Sequence, residues 1–244
     1  MKALLLAAGF GTRLQPFTLE HPKALAPVNG KSLLQRNVEY LQSQGIWNVL
    51  VNVHHFADQI INAINKNNGW GSTISISDET DAVLETGGGL LKAKWYFDNE
   101  DDFVVMNVDM LTDMPLKNMI EHHKASNTLA TLAVTDRKSS RYLLFDNENK
   151  LVGWKNVATG KEKGPIIHYD STVKSLLQQK AFSGIHVIKP ELINKIEQRG
   201  KFSLIDVYMS LCDRNNVQCF DHSNSLLLDV GKPESIIQAE AIFK

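Results

Sequence analysis

A strand that breaks into glycine sets the terms for this chain. Lys2–Ala8 is a short apolar run of buried-strand length, and it ends in Gly9-Phe10-Gly11-Thr12-Arg13. Glycine at a strand end lets the backbone turn tightly and come close to a ligand. The strand end Leu6, Ala7 and Ala8 would then form one wall. The amides from Gly9 through Gly11 and Thr12 to Arg13 would converge on an anion, and Arg13 adds a forked cationic donor suited to phosphate. Lys23, after Pro22, supplies a second positive charge. The segment therefore predicts a polyphosphate pocket against the end of a sheet.

Two familiar phosphate-binding patterns do not fit it. The dinucleotide fingerprint requires a third glycine where this chain has Leu14. Gly30-Lys31-Ser32 matches the end of a P-loop, but Leu25 occupies the position of its first glycine.

The rest of the chain alternates in the manner of a mainly parallel α/β sheet. Ser32–Gln44 predicts a helix capped by Ser32 and stopped by Gly45, and Asn48–Val53 a strand. Ala57–Ile64 predicts a second helix, and Thr73–Ser77 a third strand. Phe103–Val108 is strongly strand-prone and ends at Asp109, with Asn107 just before its close. Pro115–Ala125 reads as helix and Thr128–Val134 as strand. Arg141–Phe145 and Lys150–Trp154 flank an Asp-Asn-Glu-Asn turn and predict a hairpin. Lys155–Gln179 is polar with weak periodicity. Strand Ala181–Ile188, helices Pro190–Gln198 and Leu204–Arg214, strands Val217–Phe220 and Leu226–Asp229, and a helix over 234–243 complete the reading. At the carboxyl end of parallel strands carboxylates face the ligand crevice, so Asp109 and Asp229 are candidate ligands for one ion. Magnesium takes oxygen donors and commonly uses one or two carboxylates plus substrate phosphates.

Several segments in fixed order carry a resemblance: LAAGFGTRL with Pro22-Lys23, LETGGG from Leu84, the strand ending in Asp109, FSGIHV from Phe182 and LDVGKPE from Leu228. Together they resemble the sugar-1-phosphate nucleotidyltransferases, the nucleotide-sugar pyrophosphorylases, over nearly the whole length. The resemblance implies their nucleotide-diphospho-sugar transferase fold: a Rossmann-like mixed, mainly parallel sheet with helices on both faces. It implies one domain, with a nucleotide-binding part near 1–110 and a sugar-binding part near 111–230 that includes an insertion. It also implies the reaction, attack of a sugar 1-phosphate on the α-phosphate of a nucleoside triphosphate with Mg2+ present.

On the same basis, Arg13 would hold the leaving pyrophosphate and Lys23 would neutralise the reacting phosphates. Thr86, Gly87 and Gly88 would form a flat backbone wall beside the nucleotide. Glu85, Asn107, Lys155, Ser183 and Gly184 would lie against the sugar phosphate. Two departures from the family pattern stand out. Val108 replaces a usual glycine, and Lys155 sits between Trp154 and Asn156, without the glutamate and proline that accompany the corresponding lysine in many relatives. The short chain most resembles N-acetylmuramate-1-phosphate uridylyltransferases. Mannose-1-phosphate or heptose-1-phosphate guanylyltransferases and glucose-1-phosphate thymidylyltransferases are alternatives, as is a silent nucleotide-sugar-binding regulatory subunit.

Composition narrows the partners. With 26 basic and 27 acidic residues, the chain offers no basic excess to recruit nucleic acid. Its apolar runs are strand-sized, so no membrane partner is expected. Cys212 and Cys219 are too few for a disulfide framework, and a cytoplasmic monomer or homodimer is expected. The pairs His54-His55 and His122-His123 diverge on any regular element, which makes them structural or surface residues.

Overall fold

Alternation along the central strands decides the layering of the computed structural model, which describes residues Met1–Lys244. In β1 (Lys2–Leu6), Leu4 and Leu6 are buried on one face, Ala3 and Leu5 on the other. A strand that is apolar at every position after Lys2 needs cover on both sides. After the short antiparallel pair β2 (Pro27–Val28) and β3 (Lys31–Ser32) come β4 (Asn48–Val53), β5 (Thr73–Asp78) and β6 (Phe103–Asn107). β5, β4, β1 and β6 lie side by side in parallel register. Helices Leu33–Ser43, Ala57–Lys66 and Leu116–Ala125 cover one face, and helices Glu85–Lys92 and Leu204–Leu211 the other. Ser32 caps the first of these, accepting from the Gln35 amide at 3.1 Å, as its position predicts.

The sheet then turns antiparallel. The remaining strands are β7 (Met110–Thr112), β8 (Ala130–Thr135), β9 (Arg141–Phe145), β10 (Leu151–Asn156), β11 (Glu162–Lys163), β12 (Gln178–Ile188), β13 (Val217–Asp221) and β14 (Leu227–Asp229). The long β12 runs antiparallel to β6 and β8, then extends to pair β9. β9, β10 and β11 continue the sheet outward as antiparallel neighbours. The result is a ten-stranded mixed sheet with β13 at the far end of the β8 branch. β14 does not join it. It pairs with β7 in a separate two-stranded ribbon that sets Asp229 opposite Met110, beside Asp109.

Three expectations change here. LETGGG is helical, forming the start of the helix Glu85–Lys92. Lys155–Gln179 contains β11 and a short helix, Ser171–Ser175, capped by Asp170. The helix expected over Pro190–Gln198 shortens to Glu191–Asn194, after which the chain runs past the Leu84–Gly88 turn. No helix is long and apolar enough to cross a membrane.

Candidate active site

The carboxyl ends of β1, β4 and β6 open into a cleft of about 480 Å³. Leu6, Ala7, Ala8, Gly9, Gly11, Thr12, Arg13 and Lys23 line it, all from the opening segment. Gly11 is the joint of that segment. Its φ is +63°, and a Cβ there would lie 2.8 Å from Lys23 Cβ and 3.0 Å from Thr18 Cγ2. Thr18 fixes the same turn by donating to the Gly11 carbonyl at 3.0 Å. The glycine therefore lets the phosphate-type loop lie directly on the segment that carries Lys23.

Asp109 closes the opposite wall and takes the Lys23 ammonium as a direct ion-pair partner. Asp229 reaches the same region from β14, held by the Val230 amide bonding the Asp109 carbonyl at 2.8 Å. Arg13 Nη2 stands 3.6 Å from Asp229 Oδ2 on a largely exposed side chain. Such a pair contributes little stability in water, which leaves the guanidinium free to reorient toward an anion. The two cations and two carboxylates expected from distant parts of the sequence thus lie together. No group of three or more His, Cys, Asp or Glu side chains assembles to hold an ion. The Asp109 and Asp229 pair nevertheless fits a hard cation: it is an all-oxygen set, and Asp229 Oδ1 is buried without a hydrogen-bond partner.

A second cavity, of about 800 Å³, adjoins the first. Arg13 and Ser203 line both, and mark the junction. From there the cavity extends over the sheet formed by β9, β10 and β11, with Asp229 at its near end.

Some expected residues lie elsewhere. Gly87 and Gly88 do not face the cleft; they are buried inside the helix, against the Gly200–Phe202 segment. A Cβ on Gly88 would lie 2.4 Å from the Gly200 carbonyl oxygen, so the glycines permit backbone-to-backbone packing rather than a nucleotide wall. Glu85 and Thr86, at the start of the helix, do line the cleft, and Thr86 Oγ1 accepts from the Leu204 amide at 2.9 Å. Lys155 is turned away from both cavities and pairs with Glu162 at 3.5 Å. Its neighbours Trp154 and Asn156 face the second cavity, joined by Lys163 from β11. Ser183 is fully buried and bonded to His222 Nε2 at 2.8 Å, while Gly184 packs beneath Asn107 and Met110. Phe182 is the residue of that segment that faces the cavity. Asn107 lines the first cleft rather than the second.

Residues not anticipated also line the first cleft, chiefly Asn52, Glu79, Lys201 and Ser203. Asn52 Oδ1 accepts from the Ala7 amide at 2.6 Å, and its Nδ2 donates to Glu79 Oε1 at 2.8 Å. Glu79 is buried, which raises its pKa against a smaller lowering by Asn52, and its Oε2 has no partner. The signal for Asn52 was present: a polar side chain inside the otherwise apolar Val49–Val53 run. The paired histidines are not ligands of the cleft. His123 is buried between Asp102 at 3.1 Å and Thr131 at 2.9 Å.

A family model described as nucleotidyl transferase matches residues 2–244. The mannose-1-phosphate guanyltransferase of Aspergillus oryzae is 27% identical over 246 residues, covering 100% of this chain and 64% of that protein. The mannose-1-phosphate guanylyltransferase catalytic subunit beta of Xenopus tropicalis is 25% identical over 245 residues, with the same coverage of each. The chain therefore spans 64% of the length of these curated relatives. HddC from Yersinia pseudotuberculosis, solved in complex with GMP-PN, superposes with a TM-score of 0.78 at 23% identity, over 100% of this chain and 99% of HddC. A UDP-glucose pyrophosphorylase solved with UDP-glucose gives 0.77 at 19% identity, over 99% and 97%. At these identities the likeness to solved structures speaks for the fold.

Proposed function

We propose, from the premise that this chain belongs to the nucleotidyl transferase family, that it transfers a nucleotidyl group to a sugar 1-phosphate. The observation that carries the reading is the pairing of Lys23 with Asp109 and of Arg13 with Asp229 where the glycine-turn cleft adjoins the second cavity. An oxygen of the sugar phosphate attacks the α-phosphorus of the nucleoside triphosphate. The bond from the α-phosphorus to its bridging oxygen breaks, and pyrophosphate leaves with the electron pair. The attacking oxygen is already anionic, so the protein needs no strong base. Its work is alignment and neutralisation of charge.

In this reading the amides of Gly9–Arg13 and the Arg13 guanidinium hold the β- and γ-phosphates. Lys23 leaves Asp109 to meet the α-phosphate. Asp109 and Asp229 would hold a magnesium ion, whose charge would offset that of the reacting phosphates. Trp154 and Phe182 offer apolar faces to the sugar, and Lys163 takes the place beside it that the sequence suggested for Lys155.

For the base, guanine has the better support. The curated relatives are named as mannose-1-phosphate guanylyltransferases. Glu79, a buried carboxyl in the lining of the cleft, would accept from the N–H groups of a guanine edge after a turn of its side chain. Uridylyl transfer to N-acetylmuramate 1-phosphate, the pairing that the sequence brought to the front, has less behind it, because those relatives carry a different name. The test is pyrophosphate release, with magnesium, across four nucleoside triphosphates and a panel of sugar 1-phosphates. Turnover highest with GTP is expected. No release from any pair would leave a binding protein in place of an enzyme.

A further inference from the structure

The acceptor cavity is more basic than a sugar 1-phosphate requires. Five cations line it, Arg13, Arg137, Arg141, Lys161 and Lys163, against the single carboxylate of Asp229. The whole chain has a net charge of −1, so this is a local concentration rather than a general surplus. Position divides the five. Arg13 stands at the junction with the nucleotide cleft, where the anomeric phosphate must lie to reach the α-phosphorus. The other four sit beyond it, on the β8–β9 connection, β9 and the β10–β11 arm.

Two of those four have nothing to neutralise them. Arg141 and Lys161 have no carboxylate within ion-pair reach and no side-chain hydrogen bond. Arg137 donates to the Phe182 carbonyl at 2.8 Å, which aims it along the cavity wall without cancelling its charge. Only Lys163 is paired, to Asp206, with its ammonium 5.3 Å from the Trp154 ring centre. The cavity is also the larger of the two, about 800 Å³ against about 480 Å³, so a substituent beyond a plain hexose has room.

We infer that the acceptor carries a second anionic group, remote from its anomeric phosphate, and that Arg141 and Lys161, with Arg137 beside them, receive it. The inference rests on the transfer reading and narrows it to acidic sugar 1-phosphates. Forked guanidinium donors suit a carboxylate or a phosphate equally well. A neutral hexose 1-phosphate would leave the Arg141 and Lys161 charges facing water.

The test compares kcat/KM at fixed GTP, and again at fixed UTP, for three arms of acceptor. Mannose and glucose 1-phosphates are the neutral arm. Glucuronic acid and N-acetylmuramate 1-phosphates are the carboxylate arm, and glucose 1,6-bisphosphate is the phosphate arm. One acidic arm should exceed the neutral arm by about tenfold, the worth of one charge-assisted contact, and so identify the second group. In Arg141→Ala and Lys161→Ala, which lie on the exposed rim and whose folding circular dichroism would check, that preference should collapse toward unity. Neutral acceptors used as well as acidic ones would overturn the inference and leave nucleotidyl transfer standing. An acidic preference that survives both substitutions would overturn it as well. Silence in every arm would remove the transfer reading and the inference with it.

Discussion

Gly88→Ala separates packing from binding in the triple-glycine helix. An alanine Cβ would lie 2.4 Å from the Gly200 carbonyl oxygen and 3.0 Å from Leu84 Cβ. A backbone carbonyl has no rotamer to escape into, so the helix must move off the Gly200–Phe202 segment. That strains the bonds from the Gly87 amide to the Phe202 carbonyl, 2.9 Å, and from the Phe202 amide to the Leu84 carbonyl, 3.2 Å. Overpacking of this kind costs about 1–3 kcal/mol, and alanine returns about 1 kcal/mol through its better helix propensity. The net loss is about 0–2 kcal/mol, which for a chain of this size lowers Tm by up to about 8 °C. Gly9→Ala is the comparison. No atom lies within 4 Å of a Cβ there, and the residue lines the cleft. Its Tm should stay unchanged while KM for the nucleotide rises. Both variants are read by thermal melting and by nucleotide titration. A Gly88→Ala protein with the parent Tm and a lost nucleotide affinity would refute the packing account and return that glycine to the ligand wall.

Other outcomes follow from burial and charge. Glu79→Gln should shift nucleotide preference away from GTP, measured as the GTP-to-UTP ratio of kcat/KM; an unchanged ratio would remove Glu79 from base selection. The same variant bears on pH. Burial raises the Glu79 pKa, so the stability it contributes is present below the ordinary value of 4.5 and is lost as pH rises through the raised one. The Tm of Glu79→Gln relative to the parent should therefore be higher at pH 7.5 than at pH 4, and a gap that does not change with pH would contradict this. His123, His186 and His222 carry pKa values lowered by burial, His186 to about 3. Their contribution is present above the ordinary 6.5 and is lost as pH falls from there toward those lowered values. His186→Gln should flatten the acid limb of the Tm profile; the same limb in parent and variant would assign acid lability to other groups.

The sequence disclosed periodicity and chemistry better than parity. Apolar runs at strand and helix spacing located most elements of both layers, and the Gly9–Arg13 turn, Lys23 and Asp109 fell on one cleft because each lies just past a strand or in the loop after it. Three adjacent glycines argue for a loop, since each weakens a helix by about 1 kcal/mol relative to alanine. Only their tertiary partners explain why a helix keeps them: the Gly200–Phe202 segment at Gly87 and Gly88, and the Asn52–Glu79 pair at Gly89. Lys155 failed for a different reason. The β9–β10 ladder shifts register between Leu151 and Gly153, and one residue of slip exchanges the faces of everything that follows. That bulge leaves Trp154 and Asn156 toward the cavity and Lys155 away, with nothing in local composition to announce it. Ser183 and Gly184 sit in the comparable break of β12, where register shifts between Phe182 and His186. Glu79 and Lys201 were hidden because their roles come from position alone.

The central claim is that four charges brought together from the opening segment, the end of β6 and β14 perform one nucleotidyl transfer. Pyrophosphate release by the parent protein and by Arg13→Ala, Lys23→Ala, Asp109→Asn and Asp229→Asn, each first shown to be folded by circular dichroism, tests it directly. The account predicts losses of about 10²–10³-fold in kcat for each, the scale seen when a preorganised charge contact is removed. Folded Arg13→Ala and Lys23→Ala proteins that release pyrophosphate at nearly the parent rate would contradict it.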